Sequence, residues 1–126
     1  MDSGEKTILI VEDDKLNREA LRISLKNKYK VETCDSEIPF FDKLSSGKID
    51  LITMDISLNG NKNGLELTKE IKNNLLYKNI PIICLTAHAT KADEHNAFLA
   101  GVDIFIAKPV NNNVVTKAID ELLKKN

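Results

Sequence analysis

An α/β fold, doubly wound, with five parallel strands and five helices, is predicted by three features of the sequence. Short, nearly continuous apolar runs alternate with longer amphipathic segments. Most of those runs lack the in/out alternation of a half-solvated strand, so they read as strands covered on both faces. Polar residues collect where the runs end. The runs are Thr7–Val11, Lys30–Cys34, 49–54, 81–86 and 103–107.

The segments between them carry helical signals. Residues 15–28 place Leu16, Ala20, Leu21, Ile23 and Leu25 on what reads as one broad stripe, and 113–123 repeats apolar pairs at Val114/Val115, Ala118/Ile119 and Leu122/Leu123. Pro39 suits the first turn of a short helix stopping near Gly47. Thr90 and Asp93 have capping-box spacing for a helix running to Ala100, with Gly101 as its stop. The stretch SLNGNKNGLEL holds two Asn-Gly pairs, a hairpin signal on their own. Because Leu67, Ile71 and Leu75 follow at steps of four, a Gly-rich loop entering a helix is the preferred reading.

The chain has 126 residues, 42% of them hydrophobic, enough for one domain (1–126, with 1–6 as a short leader) and a core without staples. Eighteen basic residues against nineteen acidic ones leave a formal charge of -1, which gives no support for direct nucleic-acid or membrane binding. Cys34 and Cys84 sit in apolar runs, away from metal-ligand spacing, and read as buried reduced thiols. With neither a secretory signal nor a membrane span legible, a cytoplasmic location is expected.

ILIVEDD, residues 8–14, ends an apolar strand in three consecutive acids, and DLITMD, residues 50–55, ends another in a carboxylate. In an open parallel sheet, ligands bind beyond the carboxyl ends of the strands, where strand order reverses. Glu12, Asp13, Asp55, Thr86 and Lys108 all fall at that edge. Carboxylates gathered there repel one another unless a divalent cation sits among them. Mg²⁺, with Mn²⁺ as a substitute, suits oxygen ligands shared with phosphate. An ionised Asp can attack phosphorus, while a lysine ammonium and a hydroxyl neutralise and hold the transferred group.

The motifs IL-IVEDD-KLNREAL, LITMDISL, GLEL, IICLTAHA and AGVDIFIAKPV, in this order over nearly the whole chain, resemble the receiver domain of two-component response regulators, in the form found as single-domain regulators or on hybrid histidine kinases. The resemblance implies a flavodoxin-like (βα)₅ fold with strand order 2-1-3-4-5. It implies a phosphoacceptor switch of a two-component system or phosphorelay rather than an enzyme turning over a small substrate. The phosphodonor would be a histidine kinase or a histidine phosphotransfer protein, and the downstream protein partner is open, as is phosphorylation-dependent dimerisation.

Residue by residue, Asp55 matches the phosphoacceptor, Glu12 and Asp13 the metal-binding pair, and the backbone carbonyl of Ser57 the remaining protein ligand. Thr86 matches the switch hydroxyl, Phe105 the switch aromatic and Lys108 the phosphate-pairing lysine, followed by a cis bond to Pro109. Ser57 and His88 match the positions that tune acyl-phosphate lifetime. Asp14, the extra acid, reads as a helix N-cap, and His95 as a surface residue. Asn59 stands where the family has proline, Asn63-Gly64 replaces Asp-Gly, and the loop reads as one residue longer. Such a chain, without an output region after Asn126, is expected to signal by protein contact, whether free-standing or part of a hybrid kinase.

Two other protein classes share part of this pattern. A small Mg-dependent aspartyl-phosphate phosphatase of the haloacid dehalogenase type also uses Asp, Thr, Lys and Mg²⁺, but carries its nucleophile after the first strand in a DxD pattern that E-D-D lacks. An FMN carrier of the same general fold would need a phosphate-cradling first loop, which is missing, and would find the acidic edge unsuitable.

Overall fold

The computed structural model describes residues 5–58 and 63–124. Five strands, β1 (Thr7–Val11), β2 (Lys30–Cys34), β3 (Leu51–Met54), β4 (Ile82–Thr86) and β5 (Ile104–Ala107), alternate with five helices. These are α1 (Lys15–Leu25), α2 (Glu37–Ser46), α3 (Gly64–Lys72), α4 (Lys91–Ala100) and α5 (Asn112–Lys124). The strands form one all-parallel sheet in the order β2-β1-β3-β4-β5. The fold class and strand order implied by the sequence are those observed.

Alternation within each strand feeds two cores. Leu9, Val11, Ile52, Met54, Ile82 and Cys84 pack with Phe40, Leu44, Leu67, Ile71 and Ala97 of α2, α3 and α4. On the other face, Ile8, Ile10, Leu51, Ile83 and Leu85 meet Leu21 and Leu25 of α1 and Val115 and Ile119 of α5. Each fully buried side chain of this size contributes about 1.5–3 kcal/mol. Both cysteines are buried and free, and burial pushes each thiol up to about 12.

Several element ends differ from the sequence reading. At two strand starts an aspartate carboxylate accepts from the neighbouring strand's amide, beside a single backbone bond from the aspartate's own amide. Asp50 accepts from the Thr7 amide at 2.9 Å and Asp103 from the Ile82 amide at 2.8 Å, so β3 begins at Leu51 rather than 49 and β5 at Ile104 rather than 103. Pro81 has no amide to donate, and β4 begins after it. Helix α1 stops at Leu25, where the Lys28 and Tyr29 amides turn back onto the Leu25 carbonyl. Tyr29 and Lys28 then both bond Asp120, tying that turn to α5.

The broad apolar stripe of α1 is corrected. At about 100° per residue, Leu16, Ala20 and Ile23 lie opposite Leu21 and Leu25. Only the latter two are buried, while Leu16 and Ile23 are 82% and 52% exposed. The step of four through Leu75 also fails. Helix α3 ends at Lys72, Asn74 captures the Leu76 amide, and Leu75 is exposed. On α5, which starts one residue earlier than the pattern suggests, Val114 faces out and Val115 in.

The capping box and the glycine stop read for α4 hold. Thr90 and Asp93 form a reciprocal capping box, and Gly101 closes α4 at φ 115. Asn63 caps α3 reciprocally with Glu66, so the second Asn-Gly pair opens a helix and makes no hairpin. Asn59, with the first Asn-Gly pair, lies outside the described residues. Pro39 falls in the first turn of α2, and Gly47 follows its end.

Gly64 is fixed by a close approach: a Cβ there would lie 2.0 Å from the Asp55 carbonyl oxygen. Gly64→Ala should therefore cost about 2–3 kcal/mol in urea unfolding, because backbone must move to make room. Gly47 has extended backbone, and a Cβ added to it would meet nothing within 4 Å. Gly47→Ala should be neutral or stabilise by about 0.4–1 kcal/mol in the same assay.

Candidate functional site

The β1–β3 pairing brings the two acidic stretches together. Val11 pairs with Met54 in the last register step, and the Asp55 amide still donates to the Val11 carbonyl at 3.1 Å. The side chains that follow, Glu12 and Asp13 on one strand end and Asp55 on the other, project past the sheet. One carboxylate oxygen from each lies within 4.8 Å of the others. Glu12 and Asp55 are buried, and Asp13 is half-buried.

Lys108 enters from β5. Its Nζ lies 2.6 Å from Glu12 Oε1 and 3.5 Å from Asp55 Oδ2. The Lys108 amide donates to the Thr86 carbonyl at 2.8 Å, and the Lys108–Pro109 bond is cis, as the resemblance implies. Burial raises the Glu12 carboxyl above its ordinary value of 4.5, and the Asp55 charge adds to the rise; the Lys108 ammonium opposes both without cancelling them. Burial works to lower the Lys108 ammonium, but its hydrogen bond to Glu12 and the charges of Glu12 and Asp55 outweigh that and raise it. Lys108 thus pairs with two of the three carboxylates, and Asp13 lies beside them with no cationic partner of its own among the described residues. The remaining negative charge and the hard oxygen donors fit a divalent cation such as Mg²⁺.

Backbone bonds hold this geometry. The Ser57 amide donates to Asp55 Oδ1 at 3.1 Å, and the Gly64 amide donates to the Ile56 carbonyl at 2.8 Å, which seats the start of α3 against the acidic edge. Asp14 accepts from the Asn17 amide at 2.9 Å and is the N-cap of α1. Arg18, one turn on, donates to the Glu12 carbonyl at 3.0 Å. Sequence reasoning missed Arg18 and Asn17, since only the folded first turn of α1 aims them back at the strand end.

A cleft of about 180 Å³ is lined by Glu12, Asp13, Asp14, Asn17, Asp55, Ser57, His88 and Lys108. It gathers most of the residues singled out in the sequence. Thr86 and Phe105 stand behind it. Thr86 is fully buried, and its hydroxyl accepts from the His88 amide at 3.1 Å. Phe105 is half-buried against the inner core, its ring 6.5 Å from that of Phe98 on α4. His95 is exposed on α4.

Comparisons with known proteins agree with this geometry. The profile of the response regulator receiver domain matches residues 8–120. The polar-differentiation response regulator DivK of Brucella ovis is 35% identical over 107 residues, covering 84% of this chain and 86% of that protein. A CheY-like response regulator receiver domain protein from Methanospirillum hungatei superposes with a TM-score of 0.88 at 28% identity, over 97% of this chain and 96% of the other. The receiver domain of the sensor histidine kinase PA1611 from Pseudomonas aeruginosa, solved with a magnesium ion coordinated in its active site cleft, gives a TM-score of 0.83 at 29% identity, over 97% and 100% of the two chains. These matches give the haloacid dehalogenase alternative no support. The chain belongs to the response regulator receiver domain family.

Proposed function

We propose that this chain is a phosphorylation switch in which Asp55 takes a phosphoryl group from a phosphohistidine, on a histidine kinase or a histidine phosphotransfer protein. The observation that carries the reading is the cluster of Glu12, Asp13 and Asp55 with Lys108 bridging two of its members. An Asp55 carboxylate oxygen attacks phosphorus, the O–P bond forms as the N–P bond breaks, and the imidazole nitrogen leaves with the electron pair. Glu12, Asp13, Asp55 and the Ser57 carbonyl would hold Mg²⁺ or Mn²⁺. The ion, when bound, neutralises charge on the transferred oxygens. Lys108 leaves Glu12 to pair with the phosphoryl group, and the Ser57 amide keeps Asp55 oriented.

On the resting side, Thr86 holds the His88 amide and Phe105 leans on Phe98. After transfer, the Thr86 hydroxyl turns to a phosphoryl oxygen, Phe105 turns inward, and the face of α4, β5 and α5 changes its affinity for a downstream protein. Ser57 and His88 border the cleft and would set how readily water reaches the acyl phosphate. The exposed row Leu16, Ala20 and Ile23 on α1 offers an apolar strip for a helix carrying the donor histidine, since Asn17 of the same helix lines the cleft. A single domain working in the cytoplasm, without turnover of a small substrate, is part of this reading. Among the described residues no helix is long and apolar enough to cross a membrane.

Incubating the protein with a small phosphodonor and Mg²⁺ and following intact mass tests the assignment. Wild type should gain one phosphoryl group, and Asp55→Asn should gain none and lose beryllofluoride binding; equal uptake by the variant would refute it. Lys108→Ala should separate two effects. Removing the competing ammonium should tighten Mg²⁺ binding by about tenfold in calorimetry, about 1.4 kcal/mol, while phosphoryl uptake falls.

The raised Glu12 carboxyl sets a pH dependence. Its contribution to metal-free stability is fully present below 4.5 and is lost as pH rises through its higher folded value. Near neutrality Mg²⁺ would relieve that loss, whereas in acid protons compete with the ion. Saturating Mg²⁺ should therefore raise Tm more near neutrality than at about pH 5, and an equal shift at both would contradict the charge imbalance.

A further inference from the structure

A second cleft, of about 430 Å³, lies on the other side of Lys108, between α1 and the loop from β5 to α5. Its floor comes from the core face beneath α1 and α5: Ile10, Leu21, Leu85 and Thr53. Thr53 is the anomaly. It sits in β3 between Ile10 and Ile83, is 2% exposed, and its hydroxyl has no hydrogen-bond partner among the described residues. A buried hydroxyl facing apolar neighbours is costly unless something in the cleft bonds it.

The geometry points to a binding site for a small uncharged molecule with an apolar body and one hydrogen-bonding group, such as a phenol. The walls select against charge of either sign. A cation could reach the Glu12 and Asp55 carboxylates from this side only by displacing the Lys108 ammonium paired with both, and an anion meets the net negative charge of the three groups. A neutral hydroxyl or amide can bond Thr53 while its ring or chain covers Leu21, Leu85 and Val110, and the amides of Asn17 and Asn112 remain at the rim. Because Lys108 and Pro109 form one wall, an occupant would touch the lysine that bridges Glu12 and Asp55. The site itself does not depend on Asp55 accepting phosphate.

Phenol titrated into the isotopically labelled full chain and followed by NMR tests this, with benzoate and benzylamine as charged versions of the same ring. Saturable shifts at Leu21, Leu85 and Val110 are expected for phenol, with weaker binding of both charged probes. Thr53→Val, which keeps the shape and removes the hydroxyl, should weaken phenol by about fivefold, the loss expected for one neutral hydrogen bond. Thr53→Ser should bind phenol more tightly than Thr53→Val does. The proposal is overturned if phenol does not saturate, if its shifts cluster elsewhere, if Thr53→Val binds it as well as wild type, or if a charged probe binds more tightly.

Discussion

Three carboxylates meet at the edge of a parallel sheet with one ammonium bridging two of them, and much of the molecule is arranged to sustain that imbalance. Parallel strands direct all their carboxyl ends to the same edge, and the order β2-β1-β3-β4-β5 makes β1 and β3 neighbours. Glu12, Asp13 and Asp55 are therefore brought together by backbone pairing, before any attraction between side chains acts. Neighbouring strands are spaced by about 4.8 Å, so β5 lies well away from β1. Only a long side chain meeting another from the opposite side could span the gap, as Lys108 and Glu12 do at 2.6 Å. A shorter cationic side chain at the end of β5 would leave the acids unbridged.

Such a cluster is unfavourable in isolation, since burial disfavours each charge and neighbouring carboxylates repel. It survives because the backbone around it has little freedom to retreat. Gly64 packs directly on the Asp55 carbonyl, the Gly64 amide bonds Ile56, and Arg18 bonds the Glu12 carbonyl. Behind these contacts stand strand residues with almost no exposed surface, Ile8 to Val11 and Leu51 to Met54. The free energy that holds the acids in place thus comes from two apolar layers, while the acids themselves remain available to bind a cation.

That division explains what the sequence made legible. The strand cores were visible because apolar runs covered on both sides have few alternative readings, and the capping pair Thr90/Asp93 depends on contacts three residues apart. The acidic edge followed from strand ends alone. Less was visible where a long-range partner decides the outcome. Asp50 and Asp103 look like strand residues until their carboxylates are seen to bond the amides of Thr7 and Ile82. Leu16 and Ile23 look like core residues until α1 is placed with Leu21 and Leu25 facing the sheet. The close meeting of Lys108 and Glu12, 96 residues apart, has no local signal.

The position of Thr86 and Phe105 behind the cleft bears on how small the energy difference between two states of such a switch can be. Under the proposed reading, the Thr86 hydroxyl exchanges one acceptor role, toward the His88 amide, for one donor role toward a phosphoryl oxygen. Trading one hydrogen bond for another leaves a net difference well below the strength of either bond. Phe105 likewise leaves a half-exposed aromatic neighbour, Phe98, for an interior place. An aromatic pair of this kind contributes about 0.5–1.5 kcal/mol beyond the area it covers, which the burial gained on turning inward can offset. Neither movement requires breaking the two cores. A balance set by such exchanges can be tipped by charge added at Asp55, whereas a switch that had to open the Ile52 or Ile83 layers could not.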